Sequence, residues 1–386
     1  MADLAFCNHE VLKWARTRLG YSLEDAAKKL QINNPEKLRL AEEGEANITL
    51  NQLHNASKRY GLPTAYFYLP EIPEIQRRQT QDFRLNADVD NAYTPEMNKA
   101  LFWAQDVRED ALWLAEEGHY FASKFPWNAE KKDPSETIAN IREAIGADNA
   151  QHASVDAAFD WWRAQIEGMG VLILETDHYQ RFGISGAAIY FETCPIILLN
   201  GTEPYKRKKL FTLAHEFSHL LFADSSLDEF QTTIHQRDDL EKLCNVLARK
   251  LLLPNDQLAQ RFRPRKGQEL DIIGDISKEY KVSRFVVLLA LRDLRLVSKP
   301  QYYEFYAVLE DQFQRYREGI AAKRKERQAG GGPLPHIMKT KKLGRSYSRS
   351  VLSALWTGGI KQTEAVRMLD NLNVKHFEKF AERAFQ

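Results

Sequence analysis

The sequence predicts a mostly α chain with a small α+β core, preceded by an N-terminal bundle of short helices in helix-turn-helix order. Three observations carry this expectation. Before residue 70, four windows with apolar residues at helical spacing alternate with capping residues and glycines. Between residues 171 and 199, short aliphatic runs stand without a helical period, as buried strands do. Beyond them an apolar stretch carries two histidines four residues apart, and a second helical window follows it.

The first helix holds Val11, Leu12, Ala15 and Leu19 on one face and ends at Gly20. Ser22 caps a second helix, Leu23 to Leu30, with Asp25 as the acid of a capping-box-like start. Asn34-Pro35 opens a third helix that runs to Glu43 and stops at Gly44. A fourth spans Thr49 to Tyr60 and is closed by Gly61-Leu62-Pro63. Residues 1–70 thus read as one small domain. Residues 71–154 read as a helical connector, bounded by Pro70, Pro73 and the polar stretch Gln76 to Asp82. Thr94-Pro95 and Asp133-Pro134 start its helices, and Phe102, Trp103, Trp113 and Tyr120 form an aromatic stripe expected to pack internally.

The α+β core is expected over residues 155–300. Ala157 to Gly168 reads as a helix, followed by strands at Val171–Leu174, Ala187–Phe191 and Pro195–Leu199. Then come His215-Glu216-Phe217-Ser218-His219, flanked by Leu210, Phe211, Leu220 and Leu221. Positions four apart share one helix face, so both imidazoles can reach a single metal ion. Two histidines and a carboxylate form the open-position Zn2+ site that hydrolases use, with Glu216 beside it as general base. The reading is therefore a zinc peptidase core. A third histidine at the longer spacing is excluded, because Phe222 and Ser225 occupy the positions that pattern needs for glycine and histidine. Downstream candidates for the third ligand are Asp224, Asp228, Glu229, His235, Asp238, Asp239 and Glu241. Of these, Glu241 opens a clear helix, Leu240 to Leu253, with Asn245 one turn on as an expected hydrogen-bonding orienter of a ligand histidine. Asp238 and Asp239 stay as alternatives. His235 and Tyr190 are candidate donors to a tetrahedral oxyanion. An edge strand along Gly186 to Phe191 is the expected substrate channel, since an extended peptide can pair with its backbone.

These residues resemble the ImmA/IrrE-type zinc metallopeptidases, in the long form that carries an N-terminal XRE-type helix-turn-helix. The resemblance runs through Pro195–Asn200, Phe211–Leu221, Glu241-Lys242-Leu243-Cys244-Asn245 and Leu251–Pro254, and at the N-terminus through Ala26-Ala27, Glu42-Glu43-Gly44 and Phe67–Pro70. It implies that Glu241 is the third zinc ligand and that the activity is site-specific cleavage of a regulatory protein, often a transcriptional repressor, in stress or mobile-element switches. It also implies DNA contacts from the third helix, here Asn33, Asn34, Lys37 and Arg39. The chain departs from the family at Ala41, where a tryptophan is common.

Charge tempers the DNA reading. Residues 1–70 hold nine Lys/Arg against eight Asp/Glu, a near-neutral balance rather than a basic footprint. Residues 301–386 are basic, with 16 Lys/Arg against 9 Asp/Glu, concentrated at Lys323–Lys325 and Lys339–Arg349 around the Gly330-Gly331-Gly332 linker. The helical segment Leu343 to Phe385, broken at Thr357-Gly358-Gly359, either docks on the core or joins copies of the chain into a homo-oligomer. No apolar run is long enough for a membrane span, and three scattered cysteines make no disulfide framework, so a cytoplasmic chain is expected. Two function classes follow: a zinc endopeptidase guided by its helix-turn-helix, or a non-proteolytic DNA-binding regulator such as the antitoxin of a toxin–antitoxin pair. The complete His215, Glu216, His219 and Glu241 set favours the first, because a structural ion needs no base.

Overall fold

The computed structural model describes residues 3–72, 94–120, 122–129, 134–177, 185–222, 234–264, 267–328 and 334–385. They fall into two compact units, Met1–Val107 and Arg108–Gln386. In the first unit, α1 (His9–Thr17), α2 (Leu23–Leu30), α3 (Pro35–Glu42) and α4 (Leu50–Tyr60) form a bundle closed by a short antiparallel ribbon, β1 (Leu4–Ala5) with β2 (Ile48–Thr49). Each helix starts where a side chain takes over its orphan amides. Asn8 accepts from Glu10 and Val11, Ser22 from Asp25 and Asn34 from Glu36, while Thr49 and Gln52 form a reciprocal capping box. The apolar faces meet around Leu12, Leu30, Leu38, Leu53, Tyr60 and Phe67, all fully buried. Inside that core Arg16 grips Glu42 through two bonds of 2.8 Å, and the pair is nearly sealed from solvent. Helix α5 (Pro95–Glu116) begins in this unit, and its Asn98 side chain donates to the Leu19 carbonyl at 3.0 Å.

The second unit is built on a three-stranded sheet of order β3–β5–β4, with β3 (Leu172–Thr176), β4 (Gly186–Ile189) and β5 (Ile196–Asn200). β5 runs parallel to β3 and antiparallel to β4, which leaves β4 at an edge. Every residue of β3 and β5 is buried, so these strands read as unbroken apolar runs rather than alternations. Helix α6 (Ser135–Ala144) starts one residue after Pro134, not with proline as its first residue. Helix α7 (Val155–Gly168) packs on β3 and on α8 (Lys206–Leu221), which lies against β4 and β5. Helix α9 (Ile234–Leu252) packs along α8, and Pro254 precedes the short α10 (Asn255–Arg261). The pair α11 (Glu269–Glu279) and α12 (Arg284–Asp293) begins two residues before the segment Asp271 to Leu294, where a helical pair is expected, and ends one residue inside it.

The C-terminal part differs from the expectation in two ways. Much of the basic linker is helical: α13 spans Lys299–Gln328 and lays Phe305 and Leu309 into the main core, a spacing of four that fits one helix face. The Gly-rich stretch beyond it lies outside the described residues. Helix α14 (Pro335–Leu343) leads into the segment Leu343 to Phe385, which is expected as two helices and holds three α-helices, α15 (Arg345–Trp356), α16 (Gln362–Met368) and α17 (Phe377–Phe385). Asp370 and Asn371 both take left-handed backbone angles, φ 56° and 58°, and this turn separates α16 from α17. Among the described residues no helix is long and apolar enough to cross a membrane.

Candidate metal centre

Helix α8 is the structural spine of the site. Leu210, Leu213, Phe217, Leu220 and Leu221 bury its apolar face, which fixes its rotation about its own axis. His215 and His219 then lie one turn apart on the face turned towards α9, and Glu241 on α9 meets them. His215 Nε2 stands 3.2 Å from Glu241 Oε2, and His219 Nε2 stands 3.1 Å from Glu241 Oε1. The two Nε2 atoms are 3.2 Å apart. One ligand atom from each of the three residues falls within 4.8 Å of the others, the group among the described residues able to hold a metal ion.

The spacing bears on whether an ion fits. Around a tetrahedral ion with bonds of about 2.1 Å, neighbouring ligand atoms are about 3.4 Å apart. The three separations here fall just below that edge length. The chemistry of the set agrees, because two imidazole lone pairs and a carboxylate turned towards one point need a positive charge between them. Burial is graded across the site: the His219 side chain is 1% exposed, His215 16% and Glu241 34%. One side of the cluster is therefore sealed by the core, and the other is open to solvent.

Glu216 is buried at 5% exposure between α8 and the edge strand. A Cβ added at Gly186 would stand 2.8 Å from Thr212 Cγ2, 3.0 Å from Glu216 Cγ and 3.1 Å from Glu216 Oε1. The backbone of β4 can press against this carboxylate only because residue 186 has no side chain. The sequence reading placed Gly186 in the substrate channel but missed this contact; the available signal was a glycine opening a short aliphatic strand. It also missed Arg108, which donates to the carbonyls of Thr193 and Cys194 at 2.8 and 3.0 Å and lies over the Phe191 ring at 3.8 Å. That grip fixes the turn joining β4 to β5. A contact between residues 85 positions apart leaves no trace in local pattern.

Other candidates fall elsewhere. Asn245 is exposed, and its Nδ2 donates to the Glu241 backbone carbonyl at 2.9 Å rather than to a histidine, because its one-turn offset along α9 favours the i−4 carbonyl. Asp239 is 78% exposed and pairs with Lys242 at 3.1 Å, away from the cluster. The side chains of His235 and Asp238 lie outside the described residues, as do Asp224, Asp228 and Glu229. Tyr190 packs half-buried against the core just past the end of β4. Cys244 is buried, in keeping with a small apolar role.

Residues 169–292 match the family model described as the IrrE N-terminal-like domain of the M78 peptidases. The chain carries a domain of this peptidase family. No curated protein matches the chain. The IrrE N-terminal-like domain takes in β3, β4, β5, α8 and α9, and so all four of His215, Glu216, His219 and Glu241. It ends one residue before the close of α12.

The N-terminal candidates lie outside that match and are arranged differently. Asn34 spends its side-chain oxygen on the α3 cap, accepting from Glu36 at 3.0 Å. Arg39 donates to Glu36 at 2.9 Å and also to Glu43. These two ion pairs hold the Arg39 guanidinium charged, its pKa raised by the hydrogen bonds to Glu36 and Glu43. Asn33 and Lys37 are exposed.

Proposed function

We propose that this chain is a zinc-dependent endopeptidase that cuts a specific regulatory protein. His215, His219 and Glu241 hold the ion, and Glu216 is the general base. The observation that carries the reading is the convergence of two imidazoles and a carboxylate from two helices within 4.8 Å of one another, with a second, buried carboxylate, Glu216, that is not needed for ligation. When bound, zinc supplies Lewis acidity towards the scissile carbonyl and lowers the pKa of water from about 16 towards 7. The remaining work belongs to the chain. Glu216, kept out of bulk water, accepts the proton of the attacking water and returns it to the leaving amine. Glu241, the most exposed of the three ligands, faces the side from which substrate enters. As an edge strand among the described residues, β4 is where an extended peptide would pair, and Gly186 brings the strand's backbone close to Glu216.

The N-terminal bundle is the recognition module in this reading. With Asn34 and Arg39 engaged within α3, only Asn33 and Lys37 of the four candidate DNA contacts are left exposed and uncommitted, so α3 suits a protein partner, such as a repressor, better than it suits duplex DNA. A comparison of new protein N-termini in cells expressing wild type or Glu216→Gln tests the proposal. One terminus that is present with wild type and absent with Glu216→Gln identifies substrate and bond. Identical termini in the two strains, with and without DNA damage, favour the non-proteolytic regulator. Loss of the base lowers turnover by about 10²- to 10⁴-fold.

A further inference from the structure

Away from the His215–His219–Glu241 cluster, the second unit holds a cavity of about 780 Å³ that opens to solvent, a size typical of small-molecule sites. One wall comes from α7, the end of β3 and the first turns of α8, and the other from α14, α15 and α17. Its carboxylates are all engaged. Asp156 is paired with Lys206, and Asp160 with Arg345 at 3.3 Å. Glu203 is paired with Lys208 at 2.8 Å. Deeper in, Glu167 takes Arg163 at 2.7 Å, while Glu175 takes Arg163 at 3.2 Å and Lys209 at 2.7 Å. Three lining cations are left over. Among the described residues, Lys341, Arg349 and Arg383 have no carboxylate partner, although all three border the same space.

These three come from three helices, α14, α15 and α17, so their convergence is a product of the fold and not of one basic run. Arg349 is also held in place, since its Nε donates to the Ala384 carbonyl and its guanidinium lies 5.7 Å from the Phe385 ring centroid. Thr340 and Ser350 also line the space, but their hydroxyls donate to the helix carbonyls of His336 and Ser346, so the cations are what a ligand meets. Three cations around one cavity ask for more than one negative charge and several acceptor oxygens. A phosphate group meets that demand, with nearly two charges and three acceptors, where a single carboxylate does not.

We infer that this cavity binds a small phosphate-bearing anion through Lys341, Arg349 and Arg383. The cavity floor is the Glu175–Lys209 pair, and Lys209 stands in the same helix as His215, six residues before it. A ligand there therefore rests on the helix that carries the candidate metal ligands. Binding itself needs neither metal nor peptidase activity, so the inference and the proposed function fail separately.

Calorimetric titration of the full-length chain with ATP and with inorganic pyrophosphate, at about 0.15 M salt, tests it. Saturable binding of at least one probe at one site per chain is expected. Lys341→Gln and Arg383→Gln each weaken it about tenfold, as loss of one charge-assisted hydrogen bond does, with melting temperatures unchanged. Tighter binding of ATP than of pyrophosphate marks a nucleotide-sized occupant, and equal binding marks a smaller anion. Absence of binding of both probes up to about 1 mM, or binding that both variants leave intact, overturns the inference.

Discussion

Helices α3 and α8 use the same spacing to opposite ends. In α3, Glu36, Arg39 and Glu43 stand three and four apart and carry opposite charges, so they close on one another. In α8, His215 and His219 stand four apart with Glu241 facing both, so like groups converge on one point and leave a place for a cation. Helical proximity is therefore neutral information. The residue types it brings together decide whether the outcome is a solvated face or a site. The same rule explains why α3, with residue types suited to DNA contact, spends Arg39 on its own glutamates.

The largest expected effect lies on the α8 side of this comparison. His219→Ala removes the most buried ligand, and metal analysis of the purified protein should fall from about one zinc per chain to background, because structural and catalytic zinc need three or four protein ligands. EDTA should lower the melting temperature of wild type and leave that of His219→Ala unmoved, since an ion bound only by the folded state adds to its stability. Full zinc content in the variant would break the ligand assignment.

Next comes the buried pair beneath α3. Glu42→Ala strands the Arg16 guanidinium in the N-terminal core, and denaturant unfolding of residues 1–107 should show a loss of about 3–5 kcal/mol. A much smaller loss would mean that water reaches Arg16. The smallest effect sharpens the contrast itself. Glu36→Gln with Glu43→Gln releases Arg39, and any affinity for duplex DNA should rise, with the salt dependence steepening by about one phosphate contact. An unchanged salt slope would show that α3 does not face a nucleic acid at all.

Much of this was legible in the sequence where the cause is local. Ser22, Asn34 and Thr49 announced their helices because a cap acts within three residues. His215 and His219 could be placed on one helix face because the helix repeat is fixed, while Glu241 reads as the opener of a second helix that in fact starts at Ile234 and also takes in Asp238 and Asp239. What escaped was non-local. Gly186 against Glu216, Arg108 under the β4–β5 turn and the meeting of Lys341, Arg349 and Arg383 depend on distant segments coming together. Helix α13 was overlooked for another reason: its charged C-terminal end resembles a linker, while Phe305 and Leu309 near its start are what anchor it. Asn245 shows the reverse case, a role assigned from its place one turn after Glu241, whereas its Nδ2 meets the Glu241 backbone carbonyl.

The Arg163 cluster bears on where this molecule can be cut. Arg163 lies on α7, before the recognisable segment 169–292 begins, yet it neutralises Glu175 inside that segment. It also donates to the carbonyl of Lys341, far beyond the segment's end, at 2.9 Å. A Cβ at Gly344 would come within 2.6 Å of both Arg163 and Glu167, so the chain there is seated directly on the charges. The limits of homology are thus not the limits of folding. A fragment trimmed to the family match would keep every candidate ligand while leaving Glu175 without Arg163 and the main core without Trp162, Ile166 and Phe305. Its inactivity would report on a missing frame, not on the chemistry of the metal centre.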